Sequence, residues 1–504
     1  EYAIVSDAFQ GQNPDPTQTK FRFLYEDLNS WIDIGSSYVR TRFKLVDNSV
    51  APAFLSNLGA ATIPDARSLW NQVIFSLGGI EIENHSKDYW AYAQLSNKFY
   101  TDKFINKVGN HMGLYKTRAG QPGLELMRFA GFAYGDRDPP NNDYIAVTDV
   151  AGTATQNIAA VTCMNYSNNG EGELATLENT LPTDTADATA FDGSFVTFWT
   201  PLSCLLNFAQ GFPRCIKGLK LQLDLYKVTD KICVYTPNVG NAPYVPVGGR
   251  NISVQWDRQG VQLYVRRIRA NDSIERALTA RLASGINYKA TFEDHYLDRF
   301  HFTPDQTKVE HRIVNVGSLP TKVWVAFQPT DYLSIQGEAS FIWYFPNLTD
   351  IQLYVSGQLV PQNIIKMDAV TTNQLDPPQQ VGELDDLQIP YQQYLEMCGV
   401  VQNSSPMLRN YRGGAGSMTY QEWRNTCPLF CWDLSNVSIQ PFFSGRSEIV
   451  VRFTKLLSPN QTQPEPVNGY EMFTIVHCLK TAELSFKEHR SYITMNGTDV
   501  APPP

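Results

Sequence analysis

Apolar and polar residues alternate with a period of two along much of the chain. Val39-Arg40-Thr41-Arg42-Phe43-Lys44-Leu45 alternates, and so do Leu219 to Leu225 and Val261 to Val265. In the second half Val323 to Phe327 and Ile351 to Val355 repeat the pattern. Such segments predict half-buried β-strands, one face on a core and the other on solvent or a neighbour. Helical periodicity is scarce. Asp272 with Glu275 has the form of a capping box ahead of a helix over Ile274–Ala283, with Gly285 as its stop. Tyr89–Tyr100 and Tyr391–Met397 read as short helices. The 30 prolines and 33 glycines fall between these segments, as expected of many strands joined by turns.

The strand pattern occurs twice. Ile34-Gly35-Ser36 matches Val316-Gly317-Ser318, and Val73 to Gly79 matches Ile351 to Gly357 at an offset of 278. Tyr89-x-x-Tyr92 matches Tyr391-x-x-Tyr394 at an offset of 302. Pro201-Leu202 then matches Pro428-Leu429, Leu221–Lys227 matches Ile449–Lys455 at 228, and Gly260–Arg266 matches Thr481–Lys487 at 221. The order is the same in both halves, and the offset drops after the tyrosine pair, so the first copy carries a long insertion there. Two all-β units with this many strands predict tandem sandwiches, and a jelly roll houses eight strands in two sheets. The expected units are 1–270 and 271–504, with the insertion at about 102–194.

Composition adds the capacity for large cores: 43% of residues are hydrophobic and 12% aromatic, which excludes wholesale disorder. The net charge of -9 is concentrated. Residues 135–194 hold ten acids (Asp136, Asp138, Asp143, Asp149, Glu171, Glu173, Glu178, Asp184, Asp187, Asp192) against Arg137, and the rest of the chain balances at 40 basic and 40 acidic residues. A body without surplus cation is not expected to bind nucleic acid strongly. Its acidic insertion is expected at an outer, solvent-facing end. The eight cysteines (Cys163, Cys204, Cys215, Cys233, Cys398, Cys427, Cys431, Cys478) are too sparse for a disulfide scaffold and read as reduced. Glu1–Lys20 does not read as a signal peptide. The longest apolar stretch, Phe195–Phe212, is broken by polar residues and does not read as a membrane span.

Several local motifs resemble a known family. Ile32-Asp33-Ile34, Ser37-Tyr38-Val39, Ala51-Pro52, Ser68-Leu69-Trp70-Asn71-Gln72-Val73, Leu77-Gly78-Gly79 and Tyr89-Trp90-Ala91-Tyr92 follow one another in the first half. Leu263-Tyr264-Val265-Arg266-Arg267, Leu278 and Gly285-Ile286-Asn287-Tyr288 close it. The second half opens with Val316-Gly317-Ser318-Leu319-Pro320 and continues through Gln336-Gly337, Trp343-Tyr344-Phe345-Pro346-Asn347 and Val355-x-Gly357-x-x-Val360-Pro361. In order and spacing these resemble the double jelly-roll major capsid proteins of Polinton-like viruses, virophages and adintoviruses, a lineage that includes adenovirus hexon and tectivirus capsid proteins. The resemblance covers roughly 30–100 and 195–490; nothing in 102–194 matches. It implies two jelly rolls per chain, homotrimers forming pseudo-hexagonal capsomers, and an icosahedral virion shell around the genome. It implies neighbouring capsomers, penton and minor capsid or cement proteins as partners, with no enzymatic activity and no cofactor. A carbohydrate-binding or glycan-active jelly-roll protein is the alternative that shape alone leaves open.

Candidate chemistry is sparse. Glu293-Asp294-His295-x-x-Asp298-x-x-His301 gathers five metal-capable residues, but in no standard zinc spacing; a solvated strand and turn with ordinary histidines is the expectation. Cys427-x-x-x-Cys431 needs two further ligands, for which only His477 and Cys478 offer themselves, and buried thiols are expected instead. Arg412-Gly413-Gly414-Ala415-Gly416 lacks the Lys-Ser/Thr of a phosphate loop and reads as a flexible loop. Arg266-Arg267-x-Arg269 is expected to pair with acids at a domain or subunit interface rather than with nucleic acid. No catalytic, cofactor or metal site is expected.

Overall fold

The computed structural model describes residues 1–9, 17–47, 65–85, 87–100, 104, 108–112, 146–148, 155–157, 196–212, 215–233, 252–284, 288–316, 320–333, 343, 346, 348–367, 387–398, 420, 423, 427–434, 447–455, 468–487 and 490–496. The ten acids of the insertion, the Arg412–Gly416 loop, Cys163 and Gly285 lie outside them.

The first half contributes β1 (Tyr2–Ser6), β2 (Lys20–Tyr25), β3 (Trp31–Asp47), β4 (Trp70–Leu77), β5 (Ile80–His85), the short hairpin β6 (Ala146–Thr148) and β7 (Thr155–Asn157), β8 (Val196–Pro201), β9 (Cys215–Ile216), β10 (Leu221–Lys227) and β11 (Ile252–Ile268). Four helices lie between these strands or close behind them: α1 (Tyr89–Asn97), α2 (Leu202–Leu205), α3 (Asn207–Gly211) and α4 (Asp230–Cys233). After α5 (Asp272–Ala283) the second half adds β12 (Tyr288–Phe302), β13 (Lys308–Val316), β14 (Pro320–Pro329), β15 (Leu348–Val355), β16 (Gln358–Lys366), α6 (Gln388–Met397), β17 (Phe430–Asp433), β18 (Ser447–Lys455), β19 (Tyr470–Lys487) and β20 (Arg490–Asn496).

Each half builds two antiparallel sheets. In the first the orders are β1-β11-β3-β8 and β2-β10-β4-β5; in the second they are β12-β19-β14-β17 and β13-β18-β15-β16. Setting aside the short pieces, the first strand of each half pairs with the last, the second with the second-last, and the third and fourth lie inside opposite sheets. This is the winding of a jelly roll, carried out twice with corresponding strands in corresponding places. Among the described residues no strand of one half pairs with a strand of the other.

Alternation explains the cores. Phe21, Phe23, Val73, Phe75, Leu77, Leu221, Leu223 and Leu225 turn inward from one sheet, and Val39, Phe43, Val261, Leu263 and Val265 from the other. Trp70 and Trp256 stack across the gap, their rings 6.0 Å apart and 5° from parallel, with Phe21 and Phe43 edge-on to Trp256. Phe302, Phe327, Phe453 and Tyr470 form the matching cluster in the second sandwich.

The repeat is real at the level of strands but not at every landmark. The turn after β4 has Gly78 and Gly79 at φ of 57° and 85°; the turn after β15 has Ser356 and Gly357 at 49° and 82°. Two consecutive positive-φ residues make the tight hairpin turn that suits twisted strands, and glycine at the second position removes the Cβ clash. These turns pin the register: Leu221 lies opposite Leu77 as Ile449 lies opposite Val355. α1 and α6 also correspond. Other landmarks slip. Pro201-Leu202 closes β8, whereas Pro428-Leu429 precedes β17. Gly260–Arg266 and Thr481–Lys487 lie on the equivalent β11 and β19, but Val261 to Arg266 pair with β3, whereas 481–487 lies beyond the last pairing with β14, at Cys478. Ile34-Gly35-Ser36 lies inside β3, while Val316 ends β13. Apolar alternation looks the same after any even slip, so without a turn it does not define register.

The capping box is also corrected. The helix starts at Asp272, and the backbone N–H of Glu275 donates to the carbonyl of Asn271. The Glu275 carboxylate turns away to accept from the Trp31 indole at 3.0 Å and to pair with Lys217. These partners hold it below the usual carboxylate range, the Lys217 hydrogen bond foremost.

Candidate functional site

The polar chemistry of this chain concentrates where the two sandwiches meet. The outer face of the β12-β19-β14-β17 sheet lies against α1, α3 and the end of β5. Trp90 of α1 is fully buried against Phe473 (5.6 Å, edge-on) and near Trp343. Its indole N–H donates to Asp88, and Asp88 faces Arg299 of β12 at 3.7 Å. Phe99 stacks on Trp324 at 4.4 Å, and the Tyr394 hydroxyl donates to the Lys98 carbonyl at 2.5 Å. Aromatic pairs of this kind add about 0.5–1.5 kcal/mol each beyond the area they bury.

At the centre is a group of histidines. His295 of β12 lies between the rings of His85 (3.9 Å, 8° from parallel) and Tyr92 (3.4 Å, 16°), and His477 of β19 is 6.3 Å away. The Asn207 side-chain amide donates to Nδ1 of His295 at 2.9 Å, and the Tyr92 hydroxyl donates to the Asn207 carbonyl oxygen at 3.1 Å. Asn207 is thereby oriented, and His295 is held neutral with its proton on Nε2. Burial first, then the neighbouring His85, His477 and Lys480, push its pKa well below the usual histidine value. His85 contacts the buried Glu83 at 2.9 Å; Glu83 also accepts the backbone N–H groups of Asn207 and Phe208 at the start of α3. Asp294 pairs with Lys480 and accepts the His295 backbone N–H.

The five residues singled out in the sequence are therefore dispersed, and the expected solvated turn is a continuous strand, partly buried. Glu293 pairs with Lys322, Asp298 with His311, and His301 with Glu471. Only Asp294 and His295 enter the central group. Among the described residues His85, Asp294 and His295 approach within 4.8 Å. The two imidazoles lie face to face, and Asp294 is shared between the Lys480 ammonium and His85, whose Nε2 is 4.0 Å from its carboxylate. His85, Glu83, Asn207 and Lys480 were not singled out in sequence; the one signal was the Tyr89-x-x-Tyr92 pair that lines their pocket.

The other motifs also resolve. Cys427 and Cys431 are buried, and burial pushes the Cys427 thiol up to about 12. The described cysteines are free thiols. Arg266 lies near Asp33 at 3.8 Å, and Arg267 pairs with Glu1 and faces Asp27. All these acids belong to the same sandwich, not to an interface between sandwiches. Among the described residues no helix is long and apolar enough to cross a membrane.

α3 is seated tightly on β12. A Cβ at Gly211 would come within 2.6 Å of the Phe292 Cβ. Gly211→Ala is expected to destabilise the chain by about 1–3 kcal/mol through overpacking, read as a lower urea midpoint with unchanged slope.

No family profile and no curated protein sequence matches the chain. Solved structures do. A chain in the cryo-EM structure of the Sputnik virophage superposes with a TM-score of 0.53 at 12% identity, covering 98% of this chain and 88% of that one. The mavirus major capsid protein matches at 0.49 and 10%, covering 98% and 90%. A chain of the PBCV-1 capsid matches at 0.44 and 11%, covering 98% and 97%. The Sputnik superposition over nearly the whole chain and the strand order agree. The fold is a double jelly roll. In a double jelly roll the contact between the two sandwiches decides how the halves stand to each other, and here that contact is the histidine seam.

Proposed function

We propose that this chain is a viral major capsid protein, a structural rather than catalytic component of the virion. Its units, 1–270 and 271–504, are the two jelly rolls; three chains form a pseudo-hexagonal capsomer, and capsomers tile an icosahedral shell around the genome. Penton and minor capsid or cement proteins are its further partners, and the acidic segment 135–194 belongs at the outer end.

One observation carries this reading. Ile4 pairs with Tyr264 on β1 and β11 as His295 pairs with His477 on the corresponding β12 and β19, and Arg40 and Trp324 lie on the strands beside them, β3 and β14. Tyr2 and Tyr38 touch as Glu293 and Lys322 do. In the second sandwich this face is covered: Trp324 is only 6% exposed. In the first, among the described residues, its edge strand is open, with Ile4 59% exposed and Tyr2 43%, and Tyr38, Arg40 and Tyr264 are half-buried. Beside them Trp199 packs edge-on to Tyr264 at 4.9 Å, under Arg40. Tyr, Trp and Arg in one patch are the residues that anchor protein interfaces. One sandwich covers this face within the chain, so the second sandwich of another copy fits the equivalent open face. Head-to-tail contacts of this kind close into a ring when the rotation between copies is a whole fraction of a turn, one third for a trimer.

Electron microscopy and mass measurement of the purified chain test the proposal. A species of roughly 170 kDa, three chains of 56.8 kDa, with pseudo-hexagonal outline is expected. A monomer under every condition, at all concentrations, overturns it.

A further inference from the structure

Three of the chain's seven histidines, His85, His295 and His477, meet in the seam between the sandwiches. We propose that this cluster makes the seam an acid-sensitive joint: protonation of His295 drives the β12-β19-β14-β17 face away from α1, α3 and β5.

The geometry around His295 is set for the neutral ring. Its Nδ1 accepts from Asn207, whose oxygen accepts from the Tyr92 hydroxyl, so a proton on Nδ1 requires the Asn207 amide and the Tyr92 hydroxyl to turn together. Without that turn a proton on Nδ1 sets N–H against N–H. The surrounding acids are already engaged. From β5, His85 stacks on the ring and Glu83 is already bound to His85 and to two backbone N–H groups of α3. From β12 itself, Asp294 comes within 4.8 Å of His295 but pairs with Lys480 of β19 and faces His85 at 4.0 Å, and Glu293 pairs with Lys322 of β14. From α1 come the rings of Tyr89 and Tyr92, and from β19 also His477. The Tyr92 face attracts a cation, but two further basic groups, His477 and Lys480, stand across from it.

The sign follows from linkage. With the seam open, His295 meets water and titrates near its ordinary value; with it closed, the neutral form is enforced and the pKa is depressed. The closed seam is therefore fully favoured above about pH 6.5 and loses up to about tenfold per pH unit as the pH falls below that value, until the closed form itself protonates. In a shell built of these chains, a consequence that rests on the assembly reading, acid would loosen each block from within.

Hydrogen exchange on the full chain at pH 7.5 and 5.5, corrected for intrinsic rates, tests the joint. Protection in β12 and α1 is expected to fall about tenfold, while the far sheet β13-β18-β15-β16 keeps its protection. His295→Phe keeps a flat ring for the stack and removes the proton site; its seam protection should not change between the two pH values. Equal pH dependence in wild type and His295→Phe overturns the inference, as does a wild-type seam indifferent to acid. Should the variant fail to fold, the His295 ring resonance of the wild type decides: titration near the ordinary value in the closed protein overturns the inference, and its absence down to pH 5.5 supports it. These readings concern the single chain, so they stand or fall apart from assembly.

Discussion

Replacing Ile4 by Asp together with Trp199 by Ala weakens self-association by about a thousandfold or more, while each sandwich unfolds as before. Both side chains lie on the open face of the β1-β11-β3-β8 sheet, where the second sandwich carries its covered seam residues. An aspartate on that face must be desolvated without a partner when a second copy docks, and truncating a packed Trp at an interface costs about 2–4 kcal/mol. Together these reach about 4 kcal/mol or more, and each 1.4 kcal/mol is tenfold. Neither substitution opens a core, because Ile4 is 59% exposed and Trp199 half-buried. Sedimentation equilibrium of variant and wild type checks this. Wild-type assembly that the double variant retains at the same concentration removes the assigned face without touching the fold; a wild type that never assembles removes the capsid reading itself.

The largest effect on folding belongs to Arg67. It is 1% exposed in the first sandwich, and its guanidinium donates to the Tyr100 hydroxyl at 2.9 Å, the Ser96 hydroxyl at 3.2 Å, the Ala93 carbonyl at 3.1 Å and the Cys204 carbonyl at 3.3 Å. It also reaches Asn97 and the buried Asp65, which accepts the backbone N–H groups of Arg67 and Ser68. One side chain thus joins the chain entering β4 to α1 and to α2. Arg67→Ala leaves Asp65 as a buried charge without its cation and several acceptors without donors. Removing one partner of a buried pair costs about 3–5 kcal/mol. For a unit of this size the melting temperature should fall by roughly 10 °C, measured by calorimetry. Arg452→Ala is the contrast: its ion pair with Glu310 is exposed, and the melting temperature should not move. Equal shifts in the two variants would show that Arg67 is not the tie it is taken for.

How much could be read in advance differs element by element. Strands β3, β10, β11, β14 and β15 were legible because one face of each meets an apolar core, and that constraint is written as local alternation. The duplicated order followed from the same signal. The aromatic pairs Tyr89/Tyr92 and Tyr391/Tyr394 marked α1 and α6. The capping box failed because a carboxylate goes where its best partners are, and Glu275 found Trp31 and Lys217 from distant strands. The metal-like cluster failed for a related reason: nearness in sequence along one strand sends neighbouring side chains to different partners.

The sequence by itself determined that the chain is all-β, built twice with one order of strands, and neutral apart from one acidic segment. These properties are local or additive, set by which side of each strand meets water and by the count of charges. Only the tertiary structure decided the register between the halves, the burial of His295 between His85 and Tyr92, and the contrast between one covered sheet face and its open counterpart. Each of these depends on which distant surfaces pack together. That choice comes from shape and from the satisfaction of buried polar groups across the seam, neither of which leaves a period in the sequence.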